Sequence, residues 1–507
     1  MAGVESLPPL VAALAARPEA YPHPVAGAID VVETHISFVL LTGEFAYKLK
    51  KPVDLGFADF RSLEKRRFYC DEEARLNRRL AERLYLGTVP IAGTVGAPRV
   101  GGSGPPIEWA VKMRQFPRGA ELDRAIARGE SCVEAIDRLA IDVARFHAAL
   151  PPSPESSAHG TPERVMAQVE DVFARFLPRI GGRPFAGDVA AIRTAVRREE
   201  ARLRGVFAER KRAGFVRECH GDLHARNVAL LEDGPVAFDA LEFDADLRTT
   251  DVTSDVAFLV MDLEERSRAD LGRRFLDGWL ARTGDFAGLA VLRHGVVYRA
   301  LVRAMVETIR GSQAGGEAAR AADAAAARYV AIARRWTEPF PRRLTITHGF
   351  SGSGKTTASG RLLERTDGVR VRSDVERKRL FGLAPDARTD SPIDSGIYSA
   401  AATAATFERL AGLAETILDA GFPAIVDAAF LKRAERDRFR AIAERRGLPF
   451  AILACEAPVE TLRERIRARA AAGRDASEAD LAVLARQLAT ADPLTPAEKS
   501  CQAPFPA

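Results

Sequence analysis

Apolar and polar positions change their period several times along the chain. Between Val31 and Val53, Thr34-His35-Ile36-Ser37-Phe38-Val39-Leu40-Leu41 and Phe45-Ala46-Tyr47-Lys48-Leu49 flank a Gly43-Glu44 turn. β-Branched and apolar residues around a two-residue Gly-containing turn predict a hairpin. From Ser62 to Leu84 the spacing becomes helical behind Ser62 as a cap. Two strands are expected at Thr88–Val95 and Ile107–Phe116, parted by a Gly/Pro-rich turn. Residues 120–210 read as helices broken by a loop at 151–161, and 215–244 is a strand-rich island. Helical spacing then runs to about Trp336; Ala-rich Gly311–Ala327 is expected to continue a helix, since Ala is the best helix former, with a flexible linker as the alternative. Pro339 and Pro341 in Thr337-Glu338-Pro339-Phe340-Pro341 mark the best domain boundary. Beyond it strands and helices alternate, which implies a parallel sheet with crossover helices. The expected organisation is a helical lead-in at 1–29, a domain at 30–336 with lobes meeting near 116–117, and a domain at 342–507.

Composition narrows the classes. With 507 residues and 47% hydrophobic content the chain can build sizeable cores. A net charge of +5 is mildly basic, but the charges interleave as on solvated helix faces, so nucleic acid is a possible partner without specific support. Neither a basic leader with an apolar run nor a stretch of about 18 apolar residues is present, so no membrane partner is expected. Five scattered cysteines fit neither a disulfide framework nor a zinc site and point to a reducing, cytoplasmic setting. Only ten of the 74 basic residues are lysine, and Asn77 and Asn227 are the two asparagines. A Lys or Asn at a demanding position is therefore informative.

His220-Gly221-Asp222-Leu223-His224-Ala225-Arg226-Asn227 is followed by Val236-Ala237-Phe238-Asp239. A carboxylate, an Asn five residues on and a second Asp seventeen on match the protein-kinase-type arrangement. Asp222 can take or orient the acceptor hydroxyl's proton, while Asn227 and Asp239 offer oxygen ligands to Mg²⁺. Val228–Leu231 and Pro235–Phe238 are expected to form a hairpin returning Asp239 beside Asn227. His220 and His224 read as orienting or packing residues rather than bases.

This stretch resembles the catalytic core of the aminoglycoside phosphotransferase and choline kinase family, over about residues 30–336. The resemblance implies a bilobal protein-kinase-like fold. It also implies a strand lysine on the ATP phosphates paired to a helix glutamate. Lys48 fits on strand phase with Lys50 as rival, and Glu73 fits with Glu72 as rival. A Gly-rich G-x-G-x-x-G loop does not precede Lys48, so a phosphate clamp is expected from backbone and hydroxyls around Thr34 to Ser37. Asp251 and Asp255 read as structural, and Glu242 as near enough to Asp239 to be a site residue.

In the second half Leu344-Thr345-Ile346-Thr347-His348 reads as a strand running into Gly349-Phe350-Ser351-Gly352-Ser353-Gly354-Lys355-Thr356 and then Thr357. This is G-x-x-x-x-G-K-T between a strand and a helix. Such a loop curls backbone N–H groups around phosphates, with Lys355 reaching the β/γ-phosphates and Thr356 ligating Mg²⁺. Asp374 lies nineteen residues after Lys355, at the end of a Val369–Val371 strand, and Arg377 follows one helical turn later. Pro423–Asp427 is a third strand whose Asp427 could hold Mg²⁺ or bind the acceptor. Val459–Ala472 carries Arg463, Arg465, Arg467 and Arg469, with Arg474 beyond; they suit either a lid over the triphosphate or a solvated face.

This half resembles the small P-loop kinases, among them polynucleotide, gluconate and shikimate kinases. Asp374-x-x-Arg377 is similar to the acceptor site of polynucleotide 5′-kinases, which implies Asp374 as base and Arg377 on the acceptor or transition state; a plain surface pair is the alternative. Arg465 and Arg469 follow the family's Arg-Ile-x-x-Arg pattern as lid arginines. The order of the halves is similar to bacterial bifunctional aminoglycoside phosphotransferase/ATP-binding proteins. The expected fold class is therefore multidomain, α/β and α+β: a bilobal kinase-like domain, then a P-loop NTPase domain with a parallel sheet. The expected activity is tandem ATP- and Mg²⁺-dependent phosphoryl transfer to small hydroxyl acceptors. The alternatives are an N-terminal regulator of a P-loop kinase and a nucleic-acid end-processing kinase.

Overall fold

The computed structural model describes residues 7–25, 27–54, 56, 59–387, 396–472 and 480–503, without the side chains of 469–472. The chain divides into two compact units. One comprises Met1–Asp142, Phe146–Thr161 and Arg210–Asp255; the other comprises Val143–Arg145, Pro162–Glu209 and Val256–Ala507.

The first unit is built on a six-stranded antiparallel sheet in the order β1-β2-β3-β6-β4-β5. Its strands are β1 (Asp30–Glu33), β2 (Ser37–Leu41), β3 (Phe45–Lys50), β4 (Tyr85–Thr94), β5 (Ala97–Val100) and β6 (Glu108–Arg114). The expected hairpin is β2–β3, with Ser37 opposite Lys50 and Leu41 opposite Ala46. Period-two alternation sends Tyr47 and Leu49 into a core with Leu40, Ile91 and Ala110. Lys48 and Lys50 therefore share the opposite face, toward the helix Leu63–Ala81. That helix starts where Ser62 accepts a hydrogen bond from the Lys65 amide at 3.2 Å. Its Cys70 and Ala81 pack with Tyr85 and Val111 of the sheet. β1 was not expected; three of its four residues are exposed, so it carries no alternation to read.

The strand-rich island resolves into β7 (Val216–Glu218), β8 (Val228–Leu231) and β9 (Gly234–Ala237), and β10 (Thr249–Asp251) pairs with β7. β8 and β9 form the expected hairpin, with Val228 opposite Ala237.

In the second unit β11 (Leu344–His348), β12 (Val369–Arg372), β13 (Ala424–Asp427) and β14 (Phe450–Ala454) make a wholly parallel sheet, ordered β12-β13-β11-β14. The helices Ala269–Thr283, Leu289–Gln313 and Gly316–Thr337 lie in the same unit. Trp336, Phe340 and Phe422 pack their rings edge-to-face or tilted, with centroids 5.2–6.2 Å apart, and anchor the Pro-marked junction against the P-loop half. One expectation is corrected. Gly311–Ala327 is not one continuous helix: it breaks at Ala314 and Gly315, both extended, before Gly316 at φ +57°. Two adjacent glycines outweigh the alanine propensity there. No helix among the described residues is long and apolar enough to cross a membrane.

Candidate functional site

Two sites emerge, one in each unit. In the first, the β8–β9 ladder continues with the Phe238 amide donating to the Asn227 carbonyl at 2.9 Å, which brings Asp239 back beside Asn227. Asn227 Nδ2 donates to Asp222 Oδ2 at 3.0 Å, which turns its amide oxygen toward the place where a cation would be held. The loop is held from behind by buried Asp255, whose carboxylate accepts from the His220 and Gly221 amides at 2.8 and 2.9 Å. His220 accepts from the Asp222 amide at 3.3 Å and its Nε2 lies 3.0 Å from the Phe238 carbonyl. Burial lowers its pKa, so it orients the loop as a neutral ring. Arg210 grips Asp251 in a buried fork at 2.7 and 2.9 Å.

The β3 lysines meet the helix Leu63–Ala81 through one carboxylate. Lys48 Nζ lies 2.8 Å from Glu73 Oε1 and 2.5 Å from Asp239 Oδ1, while Lys50 pairs with Glu73 and Glu242. Glu72 faces Arg75 and Arg248 instead, at 2.8 and 3.4 Å. Burial pushes Lys48 down, but Asp239 and Glu73 overcome it and hold it well above its ordinary value. Glu73 is held low by the two lysines against its own burial, whereas burial drives Glu242 up. Three carboxylates face two ammonium groups. Asp239 is the accessible member of the group, its side chain 39% exposed while the other four are nearly or fully buried. That is a fitting place for Mg²⁺.

Asp239 adopts φ +62°, a left-handed conformation rare outside glycine. Its amide donates to the Tyr85 hydroxyl at 3.2 Å, and the Ala240 amide to Asn77 Oδ1 at 2.8 Å. Asn77 Nδ2 donates in turn to the Glu73 carbonyl at 2.9 Å. Asn77 was missed as a site residue although its rarity in the chain was a signal; Tyr85 had none. The Thr34 hydroxyl is occupied within its own turn, accepting from the Ser37 amide at 2.9 Å.

In the second unit Gly349, Gly352 and Gly354 take φ of +150°, +83° and +90°. A Cβ at Gly349 would stand 2.3 Å from the Cys455 carbonyl oxygen, so the loop accepts only glycine there. Phe350 packs on Leu462, Ile466 and Leu484. Lys355 Nζ donates to the Phe350 carbonyl at 2.7 Å, and the Ser353 hydroxyl is buried with no hydrogen-bond partner among the described residues. Thr356 and Thr357 lie in the first turn of the helix Lys355–Arg365. The loop thus ends on a helix N-terminus, which suits an anion. Arg465 Nη1 donates to the Gly352 carbonyl at 3.3 Å, over the loop; the Arg469 side chain and Arg474 fall outside the described residues. Asp427 ends β13 and accepts from Ser359 Oγ at 3.0 Å.

A cavity of about 410 Å³ is lined by Lys355, Thr356, Asp427, Asp374, Arg377 and Arg465. Glycine loop, lysine, hydroxyl and carboxylate fit a Mg-nucleotide. Asp374 is the second residue of the helix Ser373–Leu380 rather than the tail of β12. Arg377 is 8% exposed, and its guanidinium donates to the Ile397 carbonyl at 2.9 Å and Thr403 Oγ1 at 3.2 Å and lies 5.3 Å from the Tyr398 ring. Such depth sets it apart from an exposed surface pair. Two further cavity residues had no local sequence signal. Glu435 has its pKa raised by burial, and Gln487 Oε1 accepts from the Ser351 amide at 2.8 Å.

The family model described as an AAA domain matches residues 344–494. The uncharacterized protein Rv2004c of Mycobacterium tuberculosis H37Rv is 33% identical over 483 residues, covering 93% of this chain and 92% of that protein. Among solved structures, an unliganded sugar kinase from Janibacter sp. HTCC2649 is similar over 31% of this chain and 82% of its own, at 25% identity and a TM-score of 0.23. A choline/ethanolamine kinase family protein from Mesorhizobium loti is similar over 64% of this chain and 99% of its own, at 12% identity and a TM-score of 0.37.

Proposed function

The chain belongs, with its mycobacterial relative, to the family that fuses an aminoglycoside-phosphotransferase-like half to a P-loop kinase half, and from that premise we propose that it transfers the γ-phosphoryl group of ATP to hydroxyl acceptors at two separate sites. The observation that carries the reading is the cavity shared by Lys355, Asp427 and Asp374, which joins a phosphate-binding cation and a metal-holding carboxylate to a further carboxylate for the acceptor. In the P-loop half Lys355 and the loop amides hold the phosphates, Thr356 and Asp427 hold Mg²⁺, and Asp374 takes the acceptor's proton. Arg377 steadies the acceptor side and Arg465 covers the triphosphate. In the kinase-like half Lys48 orients the nucleotide, held by Glu73, and Asn227 and Asp239 hold the metal. Asp222 orients the attacking hydroxyl and accepts its proton. Bound Mg²⁺ supplies charge neutralisation on the triphosphate.

The test is ATP consumption by the full-length chain against hydroxyl-bearing metabolites and 5′-hydroxyl oligonucleotides, with Lys355→Ala and Asp222→Asn separating the sites. Turnover that survives both substitutions would refute the assignment. Activity confined to oligonucleotides would identify a nucleic-acid end kinase. A second reading, a regulatory N-terminal half, draws on the helices between Val256 and Thr337, which share a compact unit with the P-loop sheet. Under it, turnover disappears with Lys355→Ala and is unaffected by Asp222→Asn.

A further inference from the structure

Arg370 on β12 is a buried cation whose counter-ion comes from before the Pro-marked boundary. Its Nη2 lies 2.6 Å from Asp277 Oδ2 and its Nε 3.1 Å from Oδ1, a two-bond fork with both side chains about nine-tenths buried. Asp277 sits on the helix Ala269–Thr283. The third nitrogen of the fork turns toward the nucleotide site: Nη1 donates to the Thr356 carbonyl at 3.0 Å and to Ser359 Oγ at 3.1 Å. Ser359 Oγ donates to Asp427 Oδ2 at 3.0 Å, with the Thr356 carbonyl at 3.1 Å as its other acceptor. The links run from a carboxylate on one helix, through a guanidinium and a hydroxyl, to the carboxylate at the metal side of the P-loop.

We infer that Asp277 is a positioning residue for the P-loop metal site, acting through Arg370 and Ser359 on Asp427 and Thr356. The inference rests on reading that site as one for Mg-nucleotide. The physical reason is charge as much as geometry. Without Asp277, Arg370 is an uncompensated buried cation two hydrogen bonds from the carboxylate that must attract Mg²⁺. With Asp277 in its fork, the pair is neutral and Asp427 keeps its full charge for the ion. Arg370 also fixes the first helical turn after the loop through the Thr356 carbonyl, which sets where the Thr356 hydroxyl points.

The same helix makes a second contact that serves as a control. Arg273 donates to the Glu364 carbonyl at 2.8 Å and to Asp367 Oδ1 at 3.1 Å, around the far end of the helix Lys355–Arg365. A substitution that merely loosens the packing acts alike at both positions; one that acts on the metal side does not.

The experiment uses the full-length chain and a non-hydrolysable ATP analogue, with Mg²⁺ titrated and the Lys355-dependent binding read by calorimetry. Asp277→Asn should raise the Mg²⁺ concentration for half-maximal binding about tenfold, as loss of a hydrogen-bonded supporting shell does. Analogue affinity without Mg²⁺ should stay unchanged, Asp277→Glu should recover part of the loss, and Arg273→Ala should leave the Mg²⁺ requirement where it was. An unchanged Mg²⁺ requirement in Asp277→Asn, whatever its thermal stability, reduces the contact to a clamp and overturns the inference. If Asp277→Asn fails to fold, Ser359→Ala cuts the last link with the ion pair intact, and an unchanged requirement there overturns it equally. If the unsubstituted chain shows no Lys355-dependent Mg-nucleotide binding, the P-loop reading itself has failed.

Discussion

The two candidate sites arrange their charged groups in opposite ways. The kinase-like site gathers Lys48, Lys50, Glu73, Asp239 and Glu242, with Lys50 and Glu242 192 residues apart, and buries most of their charge. The P-loop site takes its cradle from eight consecutive residues, uses backbone amides, and opens onto a cavity of about 410 Å³. In the first site the functional groups are also structural, because each buried ion needs the others. In the second the fold is complete without Lys355, whose ammonium rests on a loop carbonyl. Damage to the first should therefore appear in stability, and damage to the second in binding alone.

The largest expected effect tests that contrast directly. Glu73→Ala leaves two buried lysines short of a partner and should reduce unfolding free energy by about 3–5 kcal/mol. Lys355 is only partly buried, so Lys355→Ala should stay within about 1 kcal/mol of the parent. Urea unfolding of the full-length chain measures both. Equal losses would remove the distinction between the sites.

Next comes binding. Lys355→Ala should weaken Mg-ATP at the P-loop site by about a hundredfold or more, because the cradle loses its cation for the β/γ-phosphates. The kinase-like site should keep its affinity. Calorimetry on the full-length chain should show two stoichiometric sites before the substitution and one after it. A single site in the parent chain would break the comparison at its root.

The proposed roles set one carboxylate at each site on the acceptor and another on the metal. Asp222→Asn should lower turnover by about a hundredfold while leaving nucleotide affinity intact, and Asp239→Ala should weaken Mg-ATP as well. Asp374→Ala should reproduce the Asp222 pattern in the P-loop half. It is best measured in the full-length chain, because Asp277 of the helix Ala269–Thr283 supplies the counter-ion of Arg370 on β12. A rate unaffected by Asp374→Ala would move the acceptor base elsewhere, to Asp427 or to Glu435.

How far each site can be read from sequence follows from the same contrast. The Gly349–Thr356 loop and the His220–Asn227 loop are contiguous, so their spacing alone specifies their geometry. The hairpin that returns Asp239 to Asn227 was legible because strand alternation is local. Strand phase put Lys48 and Lys50 on one face and could go no further. Two carboxylates, from β9's end and the following turn, divide the lysines, and no local pattern encodes that choice. Asn77 left a faint mark through the scarcity of asparagine; Glu435, Gln487 and the Asp277–Arg370 pair left none, since each acts across a long sequence separation. The break at Ala314 and Gly315 was misread because propensity summed over many alanines concealed two glycines.

The smallest expected effect concerns the arginine-rich helix Val459–Ala472, for which the lid and the solvated face compete residue by residue. Arg463 lies 3.8 Å from Glu460 with both side chains more than half exposed, the geometry of a screened surface pair. Arg465, two positions on, turns to the Gly352 carbonyl at 3.3 Å and stands 3.8 Å from where a Cβ on Gly354 would be. Two residues on a helix differ by roughly 200° in direction, so the pair cannot share one role. Arg463→Ala should leave Mg-ATP affinity at the P-loop site unchanged. Arg465→Ala should weaken it about three- to tenfold, the loss of one partly exposed charge-assisted hydrogen bond to phosphate. Because Arg465 is exposed, that loss should shrink as salt is raised from about 0.05 to 0.5 M, where charges a few ångströms apart are increasingly screened. Equal affinities for the two variants at low salt would return the whole helix to the solvated face and leave the loop, Lys355 and Asp427 to hold the triphosphate without a lid.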